Sequence, residues 1–187
     1  MPGIDETRPF VPLRIAVLTV SDTRERADDK SGALLAERIR AAGHTLAERA
    51  IVKDDVKAIR QRVKDWIADK FIDVVITTGG TGFTGRDVTP EAVEPLFEKK
   101  MDGFSIMFLM VSEKKIGTSA IQTRATAGVA NATYIFCLPG SPNACRDAWD
   151  EILAYQLDYR YRPCNFVEIL PRLDEHLRRP KAQTPSS

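Results

Sequence analysis

The stretch that most constrains the fold is residues 74–91, in which a β-branched run leads directly into a glycine-rich loop. Val74–Thr78 is typical of a buried strand, and glycines follow at positions 79, 80, 82 and 85. Glycine lets the backbone approach a ligand closely and turn its N–H groups toward an anion. Thr89 and Pro90 then predict a helix start, with a hydroxyl N-cap followed by proline. The pattern predicts a phosphate site at the C-terminal end of a strand.

Two carboxylates near such strand ends are candidate ligands of a metal ion. Asp87 follows the glycine loop, and Asp54 follows a weaker predicted strand at residues 46–52. Ligands of an open parallel sheet gather at the carboxyl ends of its strands, and Mg²⁺ typically takes one or two carboxylates there. Asp54 and Asp87 are therefore predicted to hold Mg²⁺. The alternatives are a solvated or capping role for Asp87 and a helix cap for the Asp54–Asp55 pair, which we assign to Asp55.

Strands and helices alternate along the chain. Apolar segments at residues 14–20, 46–52, 74–78 and 134–138 predict strands, and amphipathic segments between them predict helices, the first of them capped by Ser31. This alternation implies an α/β fold with a mostly parallel sheet that helices cover on both faces. Residues 13–173 are predicted to form one domain. Residues 1–12 and 174–187 have the composition of flexible tails.

The composition excludes several classes of function. The 187 residues suit one globular domain, and 27 basic against 26 acidic residues give no pull toward nucleic acid. No apolar stretch approaches the roughly 18 residues that cross a bilayer, and no secretion signal is visible. The three cysteines lack C-x-x-C spacing, and the two histidines lie in segments that argue against a zinc site. We expect a cytoplasmic protein with reduced thiols that binds neither nucleic acid nor membranes.

Three further loops carry polar groups toward the same edge of the predicted sheet. They supply Ser21, Asp22, Thr123, Arg124, Gly140, Ser141 and Pro142. Simple turn chemistry is the alternative for the loops at residues 19–22 and 138–142, with an N-cap as the alternative for Ser141, and a surface ion pair is the alternative for Arg124. Their convergence on one edge favours a binding site for an anionic ligand.

Short motifs along the chain together resemble the MoaB/Mog family of molybdenum cofactor biosynthesis proteins. They are Thr-Val-Ser-Asp (19–22), Asp-Lys-Ser-Gly (29–32), Thr-Thr-Gly-Gly-Thr-Gly (77–82), Asp-Val-Thr-Pro-Glu-Ala (87–92), Thr-Arg-Ala-Thr-Ala-Gly (123–128) and Leu-Pro-Gly-Ser-Pro (138–142). The resemblance covers about residues 13–170, and Arg-Pro-Cys-Asn-Phe (162–166) is similar to the MoaB branch. It implies a three-layer α/β/α fold and a homotrimer or homohexamer. It also implies adenylyl transfer from MgATP to molybdopterin, which yields adenylylated molybdopterin and pyrophosphate.

The resemblance implies a role for each site residue. Asp54 and Asp87 would be the catalytic carboxylates and Mg²⁺ ligands, with ATP as co-substrate. The implied nucleotide-binding residues are Ser21, Asp22, Gly79, Gly80, Thr81 and Gly82. The implied molybdopterin-binding residues are Thr123, Arg124, Gly140, Ser141 and Pro142. A serine commonly precedes the arginine in this family, so Thr123 keeps the hydroxyl and adds a methyl group.

Two other functions compete with this one. A non-catalytic molybdopterin-binding or assembly protein of the same fold would keep the motifs without productive ATP chemistry. Gly80-x-Gly82-x-x-Gly85 also matches the dinucleotide fingerprint of nicotinamide-dependent oxidoreductases, with Asp102 near the spacing of a ribose-binding acid. That fingerprint belongs to the first βαβ unit and opens a helix at once, whereas here two predicted strand–helix units precede it.

Overall fold

A six-stranded sheet forms the centre of the computed structural model, which describes residues 1–178 of the chain. In chain order the strands are β1 (Gly3–Ile4), β2 (Arg14–Val20), β3 (Thr45–Val52), β4 (Val74–Thr78), β5 (Lys99–Lys100), β6 (Thr126–Ala130), β7 (Thr133–Leu138) and β8 (Tyr161–Arg162). The helices are α1 (Lys30–Ala41), α2 (Val56–Ala68), α3 (Thr89–Val93), α4 (Asp102–Ile116), α5 (Pro142–Ala148), α6 (Ala154–Gln156), α7 (Phe166–Ile169) and α8 (Glu175–Arg178). A π-helical segment, Trp149–Leu153, joins α5 to α6.

The strands of the sheet lie in the order β3–β2–β4–β7–β6–β5. The first four run parallel, β6 is antiparallel to β7, and β5 is antiparallel to β6. Residues Thr78 of β4 and Leu138 of β7 are paired, and Thr78 also pairs with Thr19 of β2, so the parallel strands end at the same level. The predicted α/β class with a mostly parallel sheet is confirmed.

Alternate side chains of the parallel strands enter two apolar cores, one on each face of the sheet. In β2, Ile15 and Val17 belong to the core that α1, α4 and α5 cover, whereas Ala16 and Leu18 belong to the core that α2 and α3 cover. This follows from the two-residue period of a strand, which sends successive side chains to opposite faces. The result is the three-layer α/β/α arrangement of a single domain.

The sequence does not predict the antiparallel edge formed by β5 and β6. The residues of β6 are Thr-Ala-Gly-Val-Ala, and this small-residue composition lacks the β-branched and aromatic signal of the other strands. The structure explains the glycine: a Cβ on Gly128 would lie 2.4 Å from the ring of Phe97. This tertiary contact, which no local pattern reports, selects the small residue.

The N-terminal segment, residues 1–12, includes a short strand. Strand β1 pairs with β8 as a separate antiparallel ribbon. The guanidinium of Arg8 lies 3.7 Å from the ring centroid of Tyr159 and forms an ion pair with Glu168. Of the predicted C-terminal tail, residues 175–178 form α8, and residues 179–187 lie outside the described part of the chain.

The three cysteines differ in accessibility. Cys137 and Cys145 are buried in the cores, and Cys164 is exposed. Burial raises the pKa of the Cys145 thiol to about 11 and that of Cys137 to about 12.

Over residues 1–178, no helix has both the length and the apolar character needed to cross a membrane.

Candidate functional site

A cleft of about 420 Å³ opens where the parallel strands end. It is lined by Val20, Ser21, Thr23, Arg24, Asp54, Gly79, Gly80, Thr81, Gly82, Asp87, Gln122, Thr123, Pro139, Gly140 and Ser141. These residues come from the end of β2, from the segments after β2, β3, β4 and β7, and from the segment before β6. The sheet thus brings together loops that lie far apart in sequence, as expected at the carboxyl ends of parallel strands.

Glycines are required where the loop after β4 passes its neighbours. Gly79 has φ of 106°, and a Cβ there would lie 2.2 Å from the carbonyl oxygen of Val20. Gly80 has φ of 65°, a conformation that side-chain-bearing residues rarely adopt. A Cβ on Gly140 would lie 3.3 Å from the Cα of Gly79, so the loops after β4 and β7 touch through backbone.

The sequence predicted that the Thr89 hydroxyl caps a helix, but in the structure Thr89 forms hydrogen bonds to the glycine loop instead. Thr89 is already the first residue of α3, and Val88 occupies the N-cap position without a side-chain hydrogen bond. The buried Thr89 hydroxyl donates to the carbonyl of Gly79 at 2.8 Å, and the Thr89 amide donates to that of Gly80 at 2.9 Å. The helix therefore begins well after the glycines, unlike the helix of a dinucleotide fingerprint.

Asp87 lines the cleft and also organises its own loop. One carboxylate oxygen accepts hydrogen bonds from the Thr84 amide at 2.8 Å and from the Thr84 hydroxyl at 2.6 Å. Burial raises the pKa of Asp87, but the hydrogen bonds from Thr84 and Gly82 together with the charge of Arg124 outweigh it, so the net shift is downward. Asp87 is therefore ionised at neutral pH and available as an oxygen ligand.

Asp54 lies on the same cleft in a different electrostatic setting. Partial burial, followed by the charge of Asp22 and a smaller contribution from Asp87, raises the pKa of its carboxyl group. Its backbone N–H donates to Asp22 at 3.2 Å, and Asp22 forms an ion pair with Arg86 at 2.8 Å. None of the ion pairs within residues 1–178 includes Asp54. The helix cap falls to Asp55, as predicted, since its side chain accepts from the Ala58 amide at 2.8 Å.

The crowded carboxylates suit a divalent cation that arrives with a ligand. A Cβ on Gly80 would lie 3.2 Å from Asp54 Oδ1, and one on Gly82 would lie 2.8 Å from Asp87 Oδ2, so both acids lie against the glycine loop. Within the described residues, no group of three or more His, Cys, Asp or Glu side chains could hold a metal by itself. Two oxygen donors fit Mg²⁺, which completes its shell with water and substrate phosphates.

Three of the predicted site residues do not line the cleft: Asp22, Arg124 and Pro142. Asp22 turns toward Arg86, and Pro142 is the first residue of α5. Arg124 donates to the carbonyls of Gly82 at 2.8 Å and Asp87 at 2.9 Å, and it forms an ion pair with Glu91. The ion-pair alternative therefore describes Arg124, and its guanidinium also binds two backbone carbonyls of the loop after β4.

Two predicted hydroxyls have local roles, and two others, those of Thr81 and Thr123, form a hydrogen bond with each other. Ser21 accepts from the Arg24 amide at 3.2 Å, and Ser141 caps α5 by accepting from the Ala144 amide at 3.1 Å. The turn and N-cap alternatives therefore apply to them, although both still line the cleft. The hydroxyls of Thr81 and Thr123 lie 3.3 Å apart.

Sequence reasoning missed Arg24 and misassigned the start of α1. The N-cap is Asp29, which accepts from the Gly32 amide, and the predicted cap Ser31 instead donates its hydroxyl to the carbonyl of Gly140 at 2.6 Å. Arg24 donates to the same carbonyl at 3.1 Å. The signal was the motif Asp-Lys-Ser-Gly (29–32), which supported the family resemblance without indicating this contact.

Asp29 anchors the segment between β2 and α1 from within the core. It is 1% exposed, and its Oδ2 accepts from the Thr19 hydroxyl at 2.7 Å and from Arg49 at 2.8 Å. Burial raises the pKa of Asp29, but the Arg49 guanidinium and the hydrogen bonds from Gly32 and Thr19 lower it by more than burial raises it, so the net shift is downward. A buried, paired carboxylate thus ties the start of α1 to β2 and β3.

Known proteins share both the sequence and the fold. Residues 16–159 match the family described as "Probable molybdopterin binding domain". The chain is 53% identical over 157 residues to molybdenum cofactor biosynthesis protein B of Escherichia coli strain K12, covering 84% of this chain and 92% of that protein. A crystal structure of a molybdenum cofactor biosynthesis protein B is similar with a TM-score of 0.78 at 41% identity, covering 80% of this chain and 94% of the other.

A second solved structure extends the similarity to a tungsten pathway. The tungsten cofactor synthesizing protein MoaB from Pyrococcus furiosus is 32% identical with a TM-score of 0.65, covering 90% of this chain and 98% of the other. The family match spans most of the domain, and the identity to the bacterial protein extends over nearly its whole length. This chain therefore belongs to the MoaB/Mog family of molybdenum cofactor biosynthesis proteins.

Proposed function

We propose that this chain transfers an adenylyl group from MgATP to molybdopterin and releases pyrophosphate. One observation carries the proposal: Asp54 and Asp87, 33 positions apart in sequence, lie against the same glycine loop in one cleft. The description of the matching family as a probable molybdopterin binding domain supports molybdopterin as the substrate, and the names of the relatives refer to molybdenum cofactor biosynthesis.

The proposed reaction needs positioning and charge neutralisation more than covalent help. A phosphate oxygen of molybdopterin attacks the α-phosphorus of ATP, the new P–O bond forms, and the bond to pyrophosphate breaks. Asp54 and Asp87 would hold Mg²⁺, which neutralises phosphate oxygens when bound. The backbone N–H groups around Gly80 would bind the negative charge that builds up on those oxygens.

A non-catalytic molybdopterin-binding protein is the second candidate. The hydrogen bonds of Asp87 to Thr84 favour it, because they give this carboxylate a structural use that needs no metal. The two candidates differ in one property: only the enzyme requires Asp87 to contact Mg²⁺.

Magnesium-dependent pyrophosphate release from ATP and molybdopterin tests the proposal. The variant Asp87→Asn keeps an oxygen acceptor for Thr84 and should lose on the order of 100-fold or more in rate, since a charged metal ligand is removed. Asp55→Asn is the matched control: it removes the same charge from a capping residue and should keep the wild-type rate. Wild-type protein that releases no pyrophosphate would favour the binding protein.

We further propose a homotrimer or homohexamer, supported by apolar side chains on α4. Ile106 is 60% exposed, Met107 50% and Met110 54%, although the helix also contributes Phe104 and Phe108 to the core. Such a face is more apolar than a helix in solvent requires. Light scattering coupled to size exclusion measures the mass, and a monomer at micromolar concentration would contradict the proposal.

A further inference from the structure

Arg24 is the cationic side chain of the cleft. Of the described residues that line the cleft, it alone is a lysine or arginine, whereas Asp54 and Asp87 are both acidic. Two carboxylates in the cleft would repel a phosphate ester, so the one guanidinium there is important for binding it. The position of Arg24 therefore bears on where a phosphate group that is not bound to the metal would lie.

The guanidinium of Arg24 retains unused donors. Its Nη1 donates to the carbonyl of Gly140 at 3.1 Å and approaches the Ser31 hydroxyl at 3.4 Å. None of the ion pairs within residues 1–178 includes Arg24, unlike Arg86, which pairs with Asp22, and Arg124, which pairs with Glu91. An arginine has five N–H donors, so Nε and Nη2 are free to bind a ligand.

The cleft is polarised across the edge of the sheet. Asp54 and Asp87 precede α2 and α3, which cover one face, whereas Arg24 and its partner Gly140 precede α1 and α5, which cover the other. A ligand that crosses the ends of β2 and β4 would meet the acids at one end and the guanidinium at the other. The two ends therefore suit different groups: a cation-bound phosphate near the acids and a bare phosphate near Arg24.

We propose that Arg24 binds a phosphoryl group of a substrate directly, an inference that rests on the proposed adenylyl transfer. The planar guanidinium matches two phosphate oxygens, and its contact with Gly140 fixes it in place before the ligand arrives. The phosphoryl group belongs either to the triphosphate of ATP or to the phosphate ester of molybdopterin. Both present the same chemistry to Arg24, and binding measurements on each compound separate them.

Isothermal titration of the Arg24→Gln variant tests this inference without requiring turnover. The probes are ATP with Mg²⁺, pyrophosphate, molybdopterin, and adenosine as the ligand without phosphate. We expect the affinity for the phosphate compound that Arg24 contacts to fall about 10- to 100-fold, the range for a lost hydrogen bond to a charged group. Arg24→Lys, which keeps the charge, should recover part of the loss. Arg26→Gln in the same loop changes an exposed arginine and should bind as wild type.

The adenosine arm distinguishes phosphate binding from a merely structural role. If Arg24 only held the Gly140 loop, Arg24→Gln would weaken adenosine and ATP in parallel, and the inference would be overturned. Unchanged affinity for ATP, pyrophosphate and molybdopterin would overturn it as well. A loss confined to molybdopterin assigns the phosphate ester, and a loss for ATP and pyrophosphate assigns the triphosphate. Either loss supports Arg24 even if the wild-type protein transfers no adenylyl group, so failure of the proposed function is recognised separately.

Discussion

Replacing Asp54 by asparagine should stabilise the metal-free protein while abolishing its proposed activity. Asp54 is a partly buried carboxylate next to Asp22 and Asp87, and the structure gives it no ion pair within residues 1–178. Asparagine removes the charge and keeps an oxygen that can accept a hydrogen bond. The repulsion that the proposed metal would relieve is thereby removed in the absence of metal.

The size of the effect follows from the neighbours of Asp54. A solvent-screened charge pair contributes about 0.2–1 kcal/mol, and two like charges act on Asp54. The attraction of Arg86, which is shared with Asp22, offsets one such contribution, and partial burial adds to the penalty. The net gain in the free energy of unfolding should be about 0.5–1 kcal/mol. For a chain of this size that corresponds to a rise in Tm of about 1–4 °C.

Thermal unfolding in EDTA and in Mg²⁺ with ATP measures the effect. Because the folded-state pKa of Asp54 lies above its usual 3.8, the penalty is complete above that raised pKa and disappears as the pH falls below 3.8. The Tm of the variant should therefore exceed that of the wild type at neutral pH and equal it in acid. Ligand should stabilise wild type more than the variant. Asp55→Asn is the charge-matched control. If Asp54→Asn is less stable than wild type in EDTA at neutral pH, the electrostatic reasoning is wrong.

Three further predictions concern the framework of the cleft. Gly79→Ala should cost more than about 2 kcal/mol in urea unfolding, because its φ is positive and its Cβ would meet backbone, whereas Gly85→Ala has open space and should stay within about 0.5 kcal/mol. Arg49→Met leaves Asp29 buried and unpaired and should cost about 3–5 kcal/mol; a cost below about 1 kcal/mol would contradict the buried pair. A colorimetric thiol reagent should label one cysteine per native chain, Cys164, and further labelling before unfolding would contradict the burial of the others.

The sequence predicts those parts of the fold that carry a local signal. Val74–Thr78 and the β-branched residues of β2 and β7 announce buried strands, and these strands form the parallel part of the sheet. Strand β6 gives no such signal, because it contains Gly128, where the ring of Phe97 from a distant segment leaves no room for a side chain. A contact between remote segments leaves no periodicity for sequence reasoning to detect.

The candidate site shows the same division. The glycine loop and the two acids follow predicted strands, so topology alone places Asp54 and Asp87 on one edge. The direction of a side chain does not follow from topology. Arg124 was the predicted cation of the site, yet it braces the loop through two carbonyls, while Arg24 lines the cleft. Choosing between two arginines requires knowing which carbonyls and carboxylates surround each, and this depends on the packed structure.

Gly79 packs against the backbone of Val20 and of Gly140, so the part of the cleft that these three residues form, its floor, is lined by peptide groups. Peptide groups are chemically alike in every protein, so a substitution at one of these glycines cannot change the chemistry of the floor. The added side chain can only push the strand ends apart. Diversity in what such a protein accepts must therefore arise in the walls, from side chains such as Arg24 and Thr123. The floor also arrives already ordered, so little conformational entropy is lost there when a ligand binds.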